Sequence, residues 1–90
     1  MTITKLRDLV RGLVYSVSVH AAEELEDDNL TILDLETIIL SGAIVERQRD
    51  RATGEVKYVV RGITLAGEDA ECVVKIGPTG RFVVITVYRD

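Results

Sequence analysis

The hydrophobic period of this chain changes at Gly42, and no other feature limits the fold as tightly. Before Gly42, apolar residues recur every three or four positions. After it, they recur at every second position. The first spacing lays a stripe along a helix, and the second lays a face along a strand. Ile3, Leu6, Leu9, Val10 and Leu13 form the first stripe, with Thr2 or Thr4 as its cap and Gly12 near its end. Residues 14–18 read as an extended connector or a brief strand. Ser18 then caps a second helix, roughly 19–28, whose apolar face is thin: Ala21, Ala22 and Leu25. Thr31 starts a third helix over 31–41, with Asp34 as the capping-box acid. Ile32, Leu35, Ile38 and Ile39 face inward, and Gly42 ends it.

Beyond Gly42 the spacing predicts four strands, about 43–50, 56–65, 69–76 and 81–88. The stretches "RATGE" (51–55), "AGED" (66–69) and "GPTG" (77–80) are turns, in which Gly54 and Gly80 supply positive φ and Pro78 presets the backbone. Three short connections in a row imply an antiparallel meander. In the third strand Cys72, Val74 and Ile76 share one face, and Glu71, Val73 and Lys75 share the other. Strict alternation in the last strand groups Val83, Ile85 and Val87 against Phe82, Val84, Thr86 and Tyr88. The apolar face requires a cover of helices, and the mixed face is where a ligand would meet the sheet. The expectation is one α+β domain over residues 1–90: two to three N-terminal helices packed on one face of a four-stranded antiparallel sheet.

With no Trp and one Phe, the core must be aliphatic. A domain this small buries a modest one. No apolar run approaches the ~18 residues of a membrane span. The N-terminal "MTITKLRDLVRGL" carries charge through its apolar stretch, unlike a signal peptide. One cysteine allows no intrachain disulfide, which suits a reducing cytoplasm. The net charge of −4 gives no general attraction to nucleic acid or anionic membrane. That sum conceals two poles. "EELEDD" (23–28) is acidic, whereas Arg47, Arg49, Arg51, Lys57, Arg61, Lys75, Arg81 and Arg89 gather in the strand half.

The only histidine, His20, stands at the second position of its helix. It reads either as a general acid or base at the sheet rim or as a structural residue at a helix start. Cys72 reads as a buried thiol, because an activated thiolate needs an electropositive setting. One His and one Cys match no zinc-binding spacing, and no Gly-rich phosphate loop is present, so neither metal nor cofactor is expected. The basic strands read either as a phosphate-binding face, with Tyr58 or Tyr88 stacking on a base, or as solvated strands whose charge blocks aggregation. The acidic run is a solvated helix face or a contact for a basic partner. The apolar strand "RFVVITVY" would invite self-pairing if its edge were bare, one route to a homodimer.

Ser18-Val19-His20-Ala21, Leu30-Thr31, Asp34, Gly42 and the closing Ile85-Thr86-Val87-Tyr88 together resemble the bacterial domain-of-unknown-function family 4258, over about residues 15–88. That family is similar to the RelE/MqsR/BrnT-like toxins. The resemblance implies a RelE-like toxin fold, a messenger-RNA ribonuclease that needs no metal, and an antitoxin partner. His20 matches the family histidine as base or acid. Tyr88 matches the closing tyrosine as proton donor or stacking platform, and Thr86 shares its face. Arg61 and Lys75 are substrate-binding candidates from strand position alone. The family helix usually reads His-Ala-x-x-Arg-Met-x-Glu-Arg-Gly. Here those Arg, Met, Arg and Gly positions hold Glu24, Leu25, Asp28 and Asn29. Two charge reversals near His20 oppose the approach of phosphate, so weak RNA binding is expected. The competing expectation is a non-catalytic interaction module that binds a partner protein or a second copy.

Overall fold

A computed structural model of the chain describes residues 1–77, 80 and 82–89. The elements are α1 (Ile3–Arg11), β1 (Tyr15–Val17), α2 (Val19–Asp27), α3 (Ile32–Ser41), β2 (Ala43–Arg49), β3 (Val56–Ile63), β4 (Asp69–Ile76) and β5 (Phe82–Arg89). The helices are capped by residues chosen for that chemistry. Thr2 accepts from Lys5 N and Ser18 from Ala21 N. Thr31 and Asp34 form a reciprocal capping box. Gly54 and Gly80 take positive φ, as their turns require. The roles expected of Pro78 and Arg81 lie outside the described residues. α1 ends differently from expectation: Gly12 stays right-handed, and Leu13 takes the left-handed conformation.

Among the described residues the sheet has five strands in the order β1-β5-β4-β3-β2, not four. β2 to β5 form the predicted antiparallel meander, and β1 adds in parallel to β5 through Tyr15↔Phe82, Ser16↔Val83 and Val17↔Val84. The connector was therefore a strand. Its pairing continues in the Ser18 N–H donating to the Val84 carbonyl at 2.9 Å, and the Tyr15 ring stacks on Phe82 with centroids 5.5 Å apart. β5 is thus not a bare edge over Phe82–Val84, and the expected route to self-pairing is closed there.

Two bulges interrupt the ladders, and the second corrects a face assignment. One skips Val45 in β2, and the other skips Ile85 in β5, where Val73 faces Thr86 but Val74 faces Val84. An extra residue shifts the alternation by one. Phe82, Val84 and Val87 consequently point into the core, instead of Val83, Ile85 and Val87. They meet Leu6, Leu35, Ile38, Val60 and Val74, all fully buried. The three helices cover this face. α3 lies close on β3: a Cβ built at Gly62 would fall well inside contact distance of the Ile38 carbonyl oxygen, and one at Gly42 would meet the Arg61 carbonyl oxygen at 2.6 Å. Only glycine permits that approach. The Ser41 hydroxyl ties the same junction, donating to the Thr37 carbonyl at 2.6 Å and accepting from Ile63 N at 3.0 Å.

Candidate functional site

The face of the sheet away from the helices carries three cross-strand rows. Arg61, Glu71 and Tyr88 form the first, from β3, β4 and β5. Val59, Val73 and Thr86 form the second, and Lys57, Lys75 and Val83 the third. Four of the expected site residues, Arg61, Lys75, Thr86 and Tyr88, therefore share this surface. Directly opposed side chains on one face interact, and the first row shows it. The Arg61 guanidinium donates to Glu71 Oε1 at 2.7 Å, and the Tyr88 hydroxyl donates to Glu71 Oε2 at 3.1 Å. Glu71 is only 7% exposed. The Arg61 guanidinium holds its carboxyl below the usual range, burial opposes this, and the Tyr88 hydroxyl adds to the lowering. Sequence reasoning placed Glu71 on the mixed face but gave it no role. Its hidden signal was the register that sets it between Arg61 and Tyr88.

The remaining candidates are placed apart from that row. Lys75 Nζ meets Glu55 Oε2 at 2.8 Å, two rows away. His20 projects from α2 with its side chain 68% exposed, and its Nε2 lies 3.3 Å from Glu24 Oε1. That same Glu24 oxygen accepts from the Val87 backbone N–H at 3.1 Å. Glu24 was read as a charge opposing phosphate, yet its clearest work is to satisfy β5 beyond the reach of β1. It also holds His20 to the strand that carries Tyr88. Ser18 Oγ, besides capping α2, donates to the Ile85 carbonyl at 3.3 Å.

Two buried groups have structural tasks. Burial, with Glu71 beside it, pushes the Cys72 thiol up to about 12, so it stays protonated and unreactive in the folded chain. Asp34 Oδ1 accepts from Leu65 N at 3.0 Å, and Oδ2 from Thr31 N at 2.8 Å. These backbone donors lower its pKa and join the start of α3 to the β3–β4 turn. Among the described residues, no three His, Cys, Asp or Glu side chains stand together as a metal cluster, and no helix is long and apolar enough to cross a membrane.

Compared with known proteins, the chain matches the family model described as a domain of unknown function (DUF4258) over residues 17–89, from the end of β1 through β5. No curated protein and no solved structure matches it.

Proposed function

The chain belongs to the DUF4258 family, and from that premise we propose that it is a toxin-like protein of a bacterial toxin–antitoxin pair, a weakened messenger-RNA ribonuclease acting in the cytoplasm without a metal. The observation that carries this reading is the helix-free sheet face bearing Arg61, Lys75, Thr86 and Tyr88 in adjoining rows. Such a face offers cations to a phosphate and a phenol to a base or leaving group. In the proposed reaction His20 takes the proton of a ribose 2′-hydroxyl, and that oxygen attacks the adjacent phosphorus. The bond to the 5′-oxygen breaks as Tyr88 protonates it, leaving a 2′,3′-cyclic phosphate. Weakness follows from the carboxylates. Glu71 occupies both Arg61 and Tyr88, Glu55 occupies Lys75, and Glu24 occupies His20. Each pairing must loosen before its group can serve RNA.

The same pairings favour the second reading, a non-catalytic module that binds a partner protein, because a cation already answered by a carboxylate adds little attraction for phosphate. Induced expression separates the two. Growth arrest with faster messenger-RNA decay, relieved by His20→Ala and by Tyr88→Phe, supports the ribonuclease. Unchanged growth and intact RNA from the wild type support the interaction module.

A further inference from the structure

A concavity opens on the other face of the sheet, beside the turn that joins β2 to β3. It is a cleft of about 380 Å³, lined among others by Met1, Thr53, Val56, Tyr58 and Ile76. That volume falls at the small end of ligand sites. Its floor is apolar and aromatic: Val56 and Ile76 pack against the core, and the Tyr58 ring is itself part of it. The Tyr58 hydroxyl has no hydrogen-bond partner among the described residues, and it is not among the buried polar atoms left unpaired, so it opens to the cleft. The strand register adds charge. Arg47 is opposite Tyr58 and Arg49 opposite Val56, so both arginines stand on the floor's face one strand away, outside the lining itself but within a side chain's length of it. Neither has an ion-pair partner among the described residues. The one carboxylate on the lining, Glu55, is answered by Lys75 at 2.8 Å.

We infer that this cleft binds a small organic anion, with a planar apolar body over Val56, Tyr58 and Ile76 and a carboxylate or phosphate at Arg47 and Arg49. The apolar floor holds the body, the Tyr58 hydroxyl orients it, and the two arginines on the neighbouring strand reach over to select the charge. The site shares no residue with the Arg61–Glu71–Tyr88 row and does not depend on ribonuclease activity.

The test is a nuclear magnetic resonance titration of the whole chain with naphthalene-2-carboxylate, and in parallel with its neutral amide. Saturable shifts are expected at the amides of Thr53, Gly54, Val56, Tyr58 and Gly77. The neutral amide should bind about three- to tenfold more weakly, and the exposed double variant Arg47→Gln with Arg49→Gln should lose a similar factor for the carboxylate. Tyr58→Phe should keep the fold and weaken binding less. Absent or scattered shifts, or equal binding of the carboxylate by wild type and the double variant, or of amide and carboxylate by the wild type, would overturn the assignment.

Discussion

Replacing Glu71 by Gln removes one charge from the centre of the first row and little else. The carboxylate accepts from Arg61 at 2.7 Å and from Tyr88 at 3.1 Å. Glutamine can keep its oxygen toward Arg61 and turn its amide toward the tyrosine, whose hydroxyl accepts as readily as it donates. What is lost is the charge assistance. A hydrogen bond to a charged group contributes about 1.5–3 kcal/mol. The Arg61 side chain is 57% exposed, however, so solvent screening reduces this to about 1 kcal/mol. For a domain of this size that corresponds to a fall in Tm of about 4–8 °C. The pH dependence gives the sharper check. The Glu71 pKa is lowered in the folded chain from 4.5, so its contribution is present above that value and disappears as pH falls through the folded one. Thermal melts of wild type and Glu71→Gln should therefore differ at pH 7, and the gap should shrink as pH falls below 4.5. A gap that does not change with pH would mean that shape, not charge, sets the effect. The absence of a gap at pH 7 would mean that the row contributes no stability. The same variant removes the Glu71 charge from beside Arg61, so RNA binding should strengthen and its salt dependence steepen.

Gly62→Ala drives a methyl group into the Ile38 backbone carbonyl, which no rotamer change can relieve, so a loss of about 3 kcal/mol in urea unfolding is expected. Glu24→Arg leaves the Val87 N–H without its acceptor and should cost about 1 kcal/mol, whereas Glu24→Gln retains an oxygen there and should melt close to wild type. Cys72 should react with a thiol reagent only as fast as the chain opens. Because its thiol is raised from 9.0 to about 12, its contribution to stability is complete below 9.0 and declines as pH climbs toward 12, to a degree that Cys72→Ala should reduce.

Helices α1 to α3 and the meander could be read from the sequence because their signals are local: stripes of three to five apolar residues, caps at Ser18 and Thr31, glycines at turns. The place of β1 in the sheet escaped, because three residues carry too little pattern to decide between a connector and a brief strand, and the pairing depends on Phe82–Val84, far along the chain. The bulge at Ile85 escaped for a different reason. "VVIT" is apolar or β-branched on both phases, so nothing marks where the alternation slips. The site was half legible. Placing Arg61, Lys75, Thr86 and Tyr88 on one face needs only strand parity. Seeing that Glu71 joins two of them needs the register of three strands. The role of Glu24 requires knowing that α2 lies along β5. It also explains how this helix tolerates its unusual residues: Leu25 is buried, and Asn29 takes φ 57 after the helix, a conformation asparagine adopts more easily than most residues.

The position of β5 between β1 and β4 bears on how the protein is made. Residues 15–27 find their support on residues 82–89, so a nascent chain that has extruded its helices and first hairpins still lacks the strand on which β1 and α2 rest. The β2–β4 meander can assemble from near neighbours, but pairing β1 with β5 requires contacts across some seventy residues, which slows folding. At ordinary synthesis rates of about 5–20 residues per second, the chain spends seconds with the flank of β4 unpaired and Tyr15 and Val17 exposed. That interval is when a chaperone would find its purchase on this chain, and when a slow stretch of translation would carry the greatest risk of aggregation.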